Sequence, residues 1–195
     1  MGRPRIHDSA QLLDAAAAIA ASEGPAGVSM AGVAKATGTP SGSVYHRFPS
    51  RAVLLGELWL RTVLDFQEGF LEALGGEDPV ESCVAAGTHV VTWSREHRDG
   101  ARIFLRGPRE FGAAEWPDDL SLRIGGAQQQ LDHALATTAG RLPWPAAESL
   151  ERVMLVCVDV PYSQVRRHLG GDGRTIPPTA ELLIEECARA VLAGP

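Results

Sequence analysis

The sequence predicts an all-α protein, in which a three-helix helix-turn-helix head at the N-terminus is followed by a larger C-terminal helical bundle. Apolar residues recur at helical spacing along most of the 195 residues, and the alternating pattern of β-strands is nearly absent. Gly and Pro stand where one helical pattern ends and the next begins. Hydrophobic residues make up 45% of the chain and charged residues 22%, which is an ordinary globular composition.

The N-terminal part of the chain contains three short helical patterns. The first has apolar residues at helical spacing and ends at Gly24. Ser29 is a good N-cap for a second helix over 30–37, which Gly38 would end. A third helix is expected over 41–47, directly after a proline whose missing N–H costs nothing at a helix start.

Longer helices follow. One is expected from Ser50 to about Leu74, and its two apolar faces predict that it lies between other helices. Further helices are expected near 78–97, 101–107, 118–140, 146–168 and 178–193. The last two segments are apolar on more than one face, so they are assigned to dimerisation through an intersubunit four-helix bundle. Replacing Leu183 or Ile184 with Arg is expected to give monomers.

Several classes of protein are not expected from this sequence. No stretch approaches the length of apolar residues that a transmembrane helix needs, and the N-terminus lacks the apolar segment of a secretory signal. Three widely spaced cysteines fit neither a disulfide framework nor a zinc site, so a reduced, cytoplasmic protein is expected. The histidines lack metal-ligand spacing, and no nucleophile stands with a base. We therefore predict no metal, no cofactor and no enzymatic activity.

The charge is unevenly distributed along the chain. The net charge is −6, yet the first 51 residues carry a small basic excess, so only this head is expected to meet a polyanion. The segment Gly2-Arg3-Pro4-Arg5 is extended by proline and carries two arginines. Such an arm can lie in an A·T-rich minor groove of DNA, and a solvated tail is the alternative.

The stretch from Val28 to Phe48 reads as a helix, a glycine-containing turn and a second short helix. Small residues at Ala31, Ala34 and Gly38 allow two helices to cross closely, as in a helix-turn-helix whose second helix enters the major groove of DNA. Hydroxyls and backbone amides at the start of that second helix suit phosphates, and short side chains let the backbone approach base edges. A pair of helices used only for packing is the alternative.

The run that follows Gly38 resembles the DNA-binding signature of the TetR family of transcriptional regulators. The residues that carry the resemblance are Gly38, Gly42-Ser43-Val44-Tyr45-His46-Arg47-Phe48-Pro49-Ser50-Arg51 and Leu54-Leu55. The match spans about residues 8–58, and the rest of the chain fits the family only in length and helical class. The resemblance implies an all-helical homodimer. Residues 1–50 would form the helix-turn-helix DNA-binding domain, and residues 51–195 an effector-binding and dimerisation domain.

The resemblance also implies which residues contact DNA. Ser43 and Tyr45 would lie near phosphates, and Arg51 stands where the family usually has Lys and would reach a phosphate as well. Pro40 sits where a Ser is common and Ser41 where a longer side chain often reads bases, so few base contacts are expected. The complete set, arm included, is Arg3, Arg5, Thr39, Pro40, Ser41, Ser43, Tyr45, His46, Arg47 and Arg51.

A small-molecule effector is a further implication of the resemblance, since its binding would move the long helix after Ser50 and change the spacing of the two heads. The candidate effector-binding residues are Trp59, Val63, Phe66, His89, Trp93, Phe104, Met154, Val158, Asp159 and Tyr162. Ordinary core packing is the alternative for each of them. Asp159 interrupts an apolar run, so it must face a cavity, cap a helical turn or pair with an Arg.

Together these observations predict a ligand-responsive transcriptional regulator. It would be a repressor that binds a palindromic operator in double-stranded DNA as a homodimer and is released by an unidentified small-molecule effector. Two alternatives stay open. One is a helix-turn-helix DNA-binding protein without a small-molecule effector, and the other is an enzyme built on a helical bundle.

Overall fold

The computed structural model describes residues 6–170 and 175–194, and within these ranges the chain forms helices and no strand. The α-helices are α1 (Ile6–Glu23), α2 (Met30–Thr37), α3 (Ser41–Arg47), α4 (Arg51–Leu74), α5 (Pro79–Glu96), α6 (Arg98–Arg106), α7 (Asp118–Ala139), α8 (Ala146–Met154), α9 (Val160–Leu169) and α10 (Thr179–Leu192). Two short 3₁₀ turns lie at Pro25–Gly27 and Ala113–Glu115, and a π-turn lies at Leu155–Asp159. The predicted all-α class is confirmed.

The local signals place most helix boundaries correctly. Gly24 and Gly38 follow α1 and α2 with φ of +81° and +66°, a region that glycine enters without strain. The Ser29 hydroxyl accepts a hydrogen bond from the N–H of Gly32 at 3.0 Å, as an N-cap does. The Ser50 hydroxyl caps α4 in the same way. One boundary differs, because α6 begins at Arg98 rather than near 101.

The chain divides into two compact units. The first consists of Met1–Thr62 and Arg102–Gly125, and the second of Val63–Ala101 and Gly126–Pro195. The chain passes from one unit to the other within α4, α6 and α7. The boundary at residue 50 was predicted between a DNA-binding part and an effector-binding part, and it does not coincide with a boundary between the two compact units. This functional division stays a prediction.

The first unit has a core made from the inward faces of its helices. Each of α1, α2 and α3 contributes a buried aliphatic side chain, and α4 contributes a row of leucines. The residues concerned are Leu12, Val33, Val44, Leu54 and Leu58. Because α1, α2 and α3 each bury one apolar face in this core, their other faces are exposed to solvent.

In the second unit, α5 packs against the π-turn, α9 and α10. Gly87 makes the approach possible, since a Cβ at that position would lie 2.7 Å from the carbonyl oxygen of Val156. Pro161 has no N–H to continue the helical hydrogen bonds. The preceding turn is widened, and the N–H of Val160 bonds to the carbonyl of Leu155. The segment 146–168 is therefore a continuous helical run with a π-turn in it.

One sequence-based assignment on α10 is wrong. Leu182 and Leu183 are 54% and 51% exposed, whereas Ile184 is 1% exposed. A Cβ at Gly87 would lie 3.0 Å from the Cγ2 of Ile184, so this side chain belongs to the core beside α5. Ile184→Arg would bury a charge and disrupt the second unit, and only the Leu183 variant reports on a dimer contact.

The described residues also bear on the sites and classes considered from the sequence. Cys83, Cys157 and Cys187 are all free thiols. In the part of the chain that the structure describes, no helix is both long and apolar enough to span a membrane. Within the same residues, no group of three or more His, Cys, Asp or Glu could hold a metal ion.

Candidate nucleic-acid interface

The helix-turn-helix consists of α2, a left-handed turn at Gly38, and α3. The N–H of Gly38 bonds to the carbonyl of Lys35 at 3.4 Å, and the N–H of Thr39 bonds to the carbonyl of Ala34 at 3.0 Å. This pair of bonds is the Schellman arrangement, which closes the last turn of a helix and turns the chain sharply. It sets the direction in which α3 leaves α2.

Helix α3 is held by a single buried side chain and presents the others outward. Val44 is fully buried, and Phe48 closes the end of the helix with 5% exposure. Of the predicted DNA-contacting residues near α3, two are half-buried, Thr39 and Arg47, and five are exposed, Pro40, Ser41, Ser43, Tyr45 and His46. Tyr45 is 53% exposed, which is a large exposure for an aromatic residue. A short helix with this outward set can enter a DNA groove.

Two of the predicted DNA-contacting arginines also hold the head together. The Arg47 guanidinium donates to the hydroxyl of Ser9 at 2.9 Å. Arg51 donates from Nε to the carbonyl of Val28 at 2.7 Å and from Nη2 to the carbonyl of Pro25 at 2.6 Å. These two bonds fix the start of α4 against the α1–α2 connection. A phosphate contact by Arg51 stays a prediction.

Gly42 is a candidate that the sequence-based set omits. It lies inside α3, where glycine costs about 1 kcal/mol relative to Ala, and a Cβ there would meet no atom within 4 Å. Packing within the chain therefore does not require a glycine at this position. A close approach by another molecule would require one. The signal in the sequence was a glycine between two serines in a helical segment.

The N-terminal arm with Arg3 and Arg5 lies outside the described residues, and its groove contact stays a prediction. Beyond the arm, α1 is tied to α4 by an ion pair between Arg61 Nη1 and Asp14 Oδ1 at 2.6 Å.

Two candidate effector-binding residues, Trp59 and Phe104, lie in an aromatic cluster of the first unit. The ring centroid of Trp59 is 5.7 Å from that of Phe104 and 5.5 Å from that of Phe111. Trp116 completes the cluster and donates from Nε1 to the carbonyl of Phe111 at 3.0 Å. Trp59 is 8% exposed, and all four members of this cluster are aromatic rings, which is typical of a packed core.

Three further candidates, Phe66, His89 and Trp93, come together in the second unit. The Phe66 ring centroid is 5.4 Å from that of His89 and 5.3 Å from that of Trp93. His89 Nε2 lies 3.0 Å from the carbonyl oxygen of Phe66 and donates to it, because a carbonyl oxygen only accepts. Trp93 Nε1 donates to Asp65 Oδ2 at 3.0 Å. Val63 is half-buried one turn before Phe66 on α4.

His89 also lines an open groove of about 550 Å³ formed by α4, α5 and α10. The other lining residues are small, polar or acidic: Gly69, Glu72, Ala73, Glu81, Val84, Ala85, Thr88, Thr92 and Glu185. Gly69 makes room for the imidazole, since a Cβ there would lie 2.5 Å from Cε1 of His89. Arg189 pairs with both Glu81 and Glu185, and its hydrogen bond lowers the pKa of Glu81. The groove therefore has a mixed polar and apolar lining, and its acidic rim is partly neutralised by Arg189.

The remaining candidates lie around the π-turn and face in different directions. Met154 and Val158 are partly buried against the core of the second unit. Asp159 and Tyr162 are exposed, and the Asp159 carboxylate does not cap α9. The candidate effector residues thus fall into separate groups, of which only Phe66, His89 and Trp93 form a mixed polar and aromatic cluster. Effector binding by any of them stays a prediction.

Comparison with known proteins agrees with this arrangement. Residues 12–58 match the model of the bacterial regulatory proteins of the tetR family. A search of the curated proteins finds no match. A TetR-like transcriptional regulator from Rhodococcus sp. RHA1 has a similar fold, with 21% sequence identity, 100% of each chain covered and a TM-score of 0.74. The transcriptional regulator FadR from Bacillus subtilis, in complex with stearoyl-CoA, is 13% identical over 95% of this chain and 98% of that chain, with a TM-score of 0.67. The ketosteroid transcriptional regulator KstR2 of Mycobacterium tuberculosis is 18% identical over 95% of this chain and 93% of that chain, with a TM-score of 0.64.

At these identities the solved structures bear on the fold, and the family match bears on the segment that contains α2 and α3. The matched segment includes the turn at Gly38 and the exposed residues of α3. The fold and the motif therefore agree: residues 12–58 match the DNA-binding segment of the tetR family of bacterial regulatory proteins, and the described chain has the same fold as solved TetR-like regulators.

Proposed function

We propose that this protein is a ligand-responsive repressor that acts in the cytoplasm. A homodimer binds a palindromic DNA operator through its two α3 helices, and a small-molecule effector releases it. The observation that carries the proposal is the exposed surface of α3 within the segment matched to the TetR family. In this assignment residues 1–50 bind DNA, residues 51–195 bind the effector and the second subunit, and neither part is an enzyme.

Each α3 enters the major groove of one half of the operator. The hydroxyls of Ser43 and Tyr45 contact phosphates, and the short side chains around Gly42 let the helix backbone come close to the bases. Arg47 and Arg51 add positive charge at the edge of the groove. The two half-sites then lie about 34–36 Å apart, or a multiple of that distance, because both heads must face the same side of the duplex.

The dimer forms through the outward faces of the π-turn, α9 and α10. Exposed apolar side chains on these elements support the assignment: Leu155 (40%), Tyr162 (42%), Leu182 (54%) and Leu183 (51%). Because all three elements pack against α5 on their inner side, their outer faces are available to a second copy. Burial of these side chains supplies the apolar part of the contact.

The effector binds in the second unit near Phe66, His89 and Trp93. This cluster offers aromatic surface together with one polar ring nitrogen, His89 Nδ1, which is the usual composition of a ligand site. Two regulators of the same fold are described with stearoyl-CoA and as a ketosteroid regulator, so we infer a largely apolar effector. The effector releases DNA only if it binds more tightly to the dimer conformation whose two heads do not fit the operator than to the conformation whose heads do.

DNA binding is tested by selecting sites from random duplexes with the purified protein. We expect a palindrome to be enriched and its binding to weaken as salt rises. The variant Tyr45→Ala/His46→Ala should bind the selected site at least about tenfold more weakly, because it removes contacts in the groove. Glu68→Ala, an exposed change on α4, is the matched control and should bind as wild type does. Failure of the wild-type protein to bind any duplex would overturn the proposal.

Effector binding is tested by a thermal-stability screen against a library of lipids, sterols and apolar acids. A compound that binds the native state raises the melting temperature by mass action, and it should then release the selected DNA. The variant His89→Leu should lose both effects. If no compound shifts the melting temperature while DNA binding is intact, the protein is a DNA-binding regulator without a small-molecule effector.

A further inference from the structure

The end of the π-turn and helix α9 present an acid and a base on one outer face. Asp159 and Arg166 are exposed, and they are seven residues apart, with Tyr162 and Ser163 midway between them. Residues at this spacing lie on the same side of a helix, two turns apart and about 10 Å along its axis. They are therefore too distant to pair with each other.

Neither charge has a counterpart in the part of the chain that the structure describes. No residue three or four positions from Asp159 or Arg166 carries an opposite charge. Within the described residues neither side chain makes a hydrogen bond or an ion pair. The opposite face of the same helix is fully used, because Pro161, Val165 and Leu169 are buried in the core.

The two charges lie on a surface that is otherwise suited to contact. Leu155 and Tyr162 are about as exposed as the two leucines of α10. A carboxylate in such a surface loses hydration when the surface is covered, and it then needs a charged partner in the covering molecule. The occupant must therefore offer a cation opposite Asp159 and an anion opposite Arg166.

A second copy of this chain offers both. In a contact with twofold symmetry, residue i of one protomer meets residue j of the other, and j meets i. Two α9 helices that cross antiparallel at Tyr162 and Ser163 bring Asp159 of each protomer opposite Arg166 of the other. Ser163 is small, which leaves room at the crossing for the larger ring of Tyr162 from the second copy.

We propose that Asp159 and Arg166 form two reciprocal ion pairs across the twofold axis of the homodimer and so set the register of its α9 helices. This inference rests on the homodimer of the proposed function. Its effect is on specificity, because a register that moves Asp159 away from Arg166 of the second copy loses both ion pairs. Arg167 is also exposed, but it lies about 100° further around the helix than Arg166, away from the line that Asp159 shares.

Charge reversal tests the register. Asp159→Arg and Arg166→Asp each place like charges in both pairs, so each should raise the dimer dissociation constant at least about tenfold at low salt. The double variant Asp159→Arg/Arg166→Asp restores opposite charges and should return to within about threefold of wild type. Sedimentation equilibrium measures the constants. Circular dichroism checks that these surface changes leave the helices folded.

A mixture of the two single variants gives a sharper result. The Asp159→Arg chain has only cations at the two positions, and the Arg166→Asp chain has only anions. Mixed in equal amounts, they should form the heterodimer in preference to either homodimer, and native mass spectrometry distinguishes the three by mass. A statistical mixture of the three dimers would overturn the inference.

The matched control is Glu68→Arg, which makes the same change of charge as Asp159→Arg at an exposed position on α4. It should leave the dissociation constant unchanged. The register is overturned if Arg167→Asp rescues Asp159→Arg and Arg166→Asp does not. It is also overturned if wild type is a dimer and neither single variant changes its dissociation constant. Both results leave the homodimer itself in place. A wild-type chain that is monomeric at every concentration overturns the homodimer itself.

Discussion

Gly87 of α5 lies directly against the carbonyl of Val156 in the π-turn, so that a Cβ at position 87 would be 2.7 Å from that oxygen. The neighbour is backbone rather than a flexible side chain, and the turn is held by the bond from Val160 to Leu155. This contact joins α5 to the segment assigned to dimerisation. The backbone of the π-turn therefore leaves no room for a side chain at position 87.

Gly87→Ala should consequently destabilise the second unit. An added methyl group cannot be accommodated without a backbone shift, and overpacking of this kind costs about 1–3 kcal/mol. Thermal unfolding measures the loss. The matched control is Gly125→Ala on α7, where a Cβ meets nothing within 4 Å and the variant should be as stable as wild type or more so. Equal melting temperatures for both variants would contradict this account.

The two glycines of the helix-turn-helix should respond to Ala in opposite ways. Gly38→Ala places a Cβ at φ of +66° and should cost about 1 kcal/mol of stability. Gly42→Ala adds a methyl group in open space inside a helix and should stabilise the head by about 0.5–1 kcal/mol. If α3 approaches DNA closely at Gly42, the same variant binds the selected operator more weakly. Unaltered affinity would remove Gly42 from the interface.

Arg51 has a structural role that can be separated from a DNA contact. Arg51→Lys keeps the charge but cannot reproduce the two bonds to Val28 and Pro25, so it should lower stability by about 1–3 kcal/mol. Arg51→Met loses the charge as well. If Arg51 also reaches a phosphate, only the Met variant reduces the slope of log affinity against log salt, by about one. Equal slopes in all three proteins would restrict Arg51 to its structural role.

The thiols should differ in reactivity. Cys83 and Cys157 are fully buried, and a hydrogen bond to Cys83 together with burial raises the pKa of the Cys157 thiol. The same contact lowers the pKa of Cys83, so burial rather than thiolate content protects that thiol, and both should resist a thiol reagent at neutral pH while half-exposed Cys187 reacts. Cys187→Ser should abolish the fast reaction. Rapid modification of more than one thiol in the native protein would contradict this.

The cap of α5 should make stability depend on pH in the acid range. The N–H groups of Glu81 and Val80 donate to the Asp78 carboxylate and lower its pKa. A lowered pKa in the folded state adds stability above the unfolded pKa of about 4, and this stability is lost as the pH falls through the folded value. Asp78→Ala should therefore melt below wild type at neutral pH, and the gap should close in acid. Asp78→Asn keeps a hydrogen-bond acceptor at the cap but does not titrate, so it separates the cap from its charge. A difference in melting temperature between wild type and Asp78→Ala that has the same size at every pH would refute the argument.

Much of the fold could be predicted because its signals are local. The caps at Ser29 and Ser50 and the stop at Gly38 act within three or four residues, and apolar spacing defines a helix within two turns. The same is true of the exposed residues of α3, since a seven-residue helix with one apolar anchor must expose the rest. Most helix boundaries, the all-α class and the helix-turn-helix were therefore determined by the sequence alone, whereas the start of α6 and the π-turn were not.

Only the tertiary structure decided which neighbours each helix has. Leu183 and Ile184 are equally apolar, yet one faces out and the other packs beside Gly87, because the position of α5 relative to α10 is not encoded in spacing. Arg51 looks like a free cation in the sequence, but carbonyls more than twenty residues away accept its hydrogen bonds. Such contacts join residues that are distant in sequence, and their energies depend on packing that no local pattern specifies.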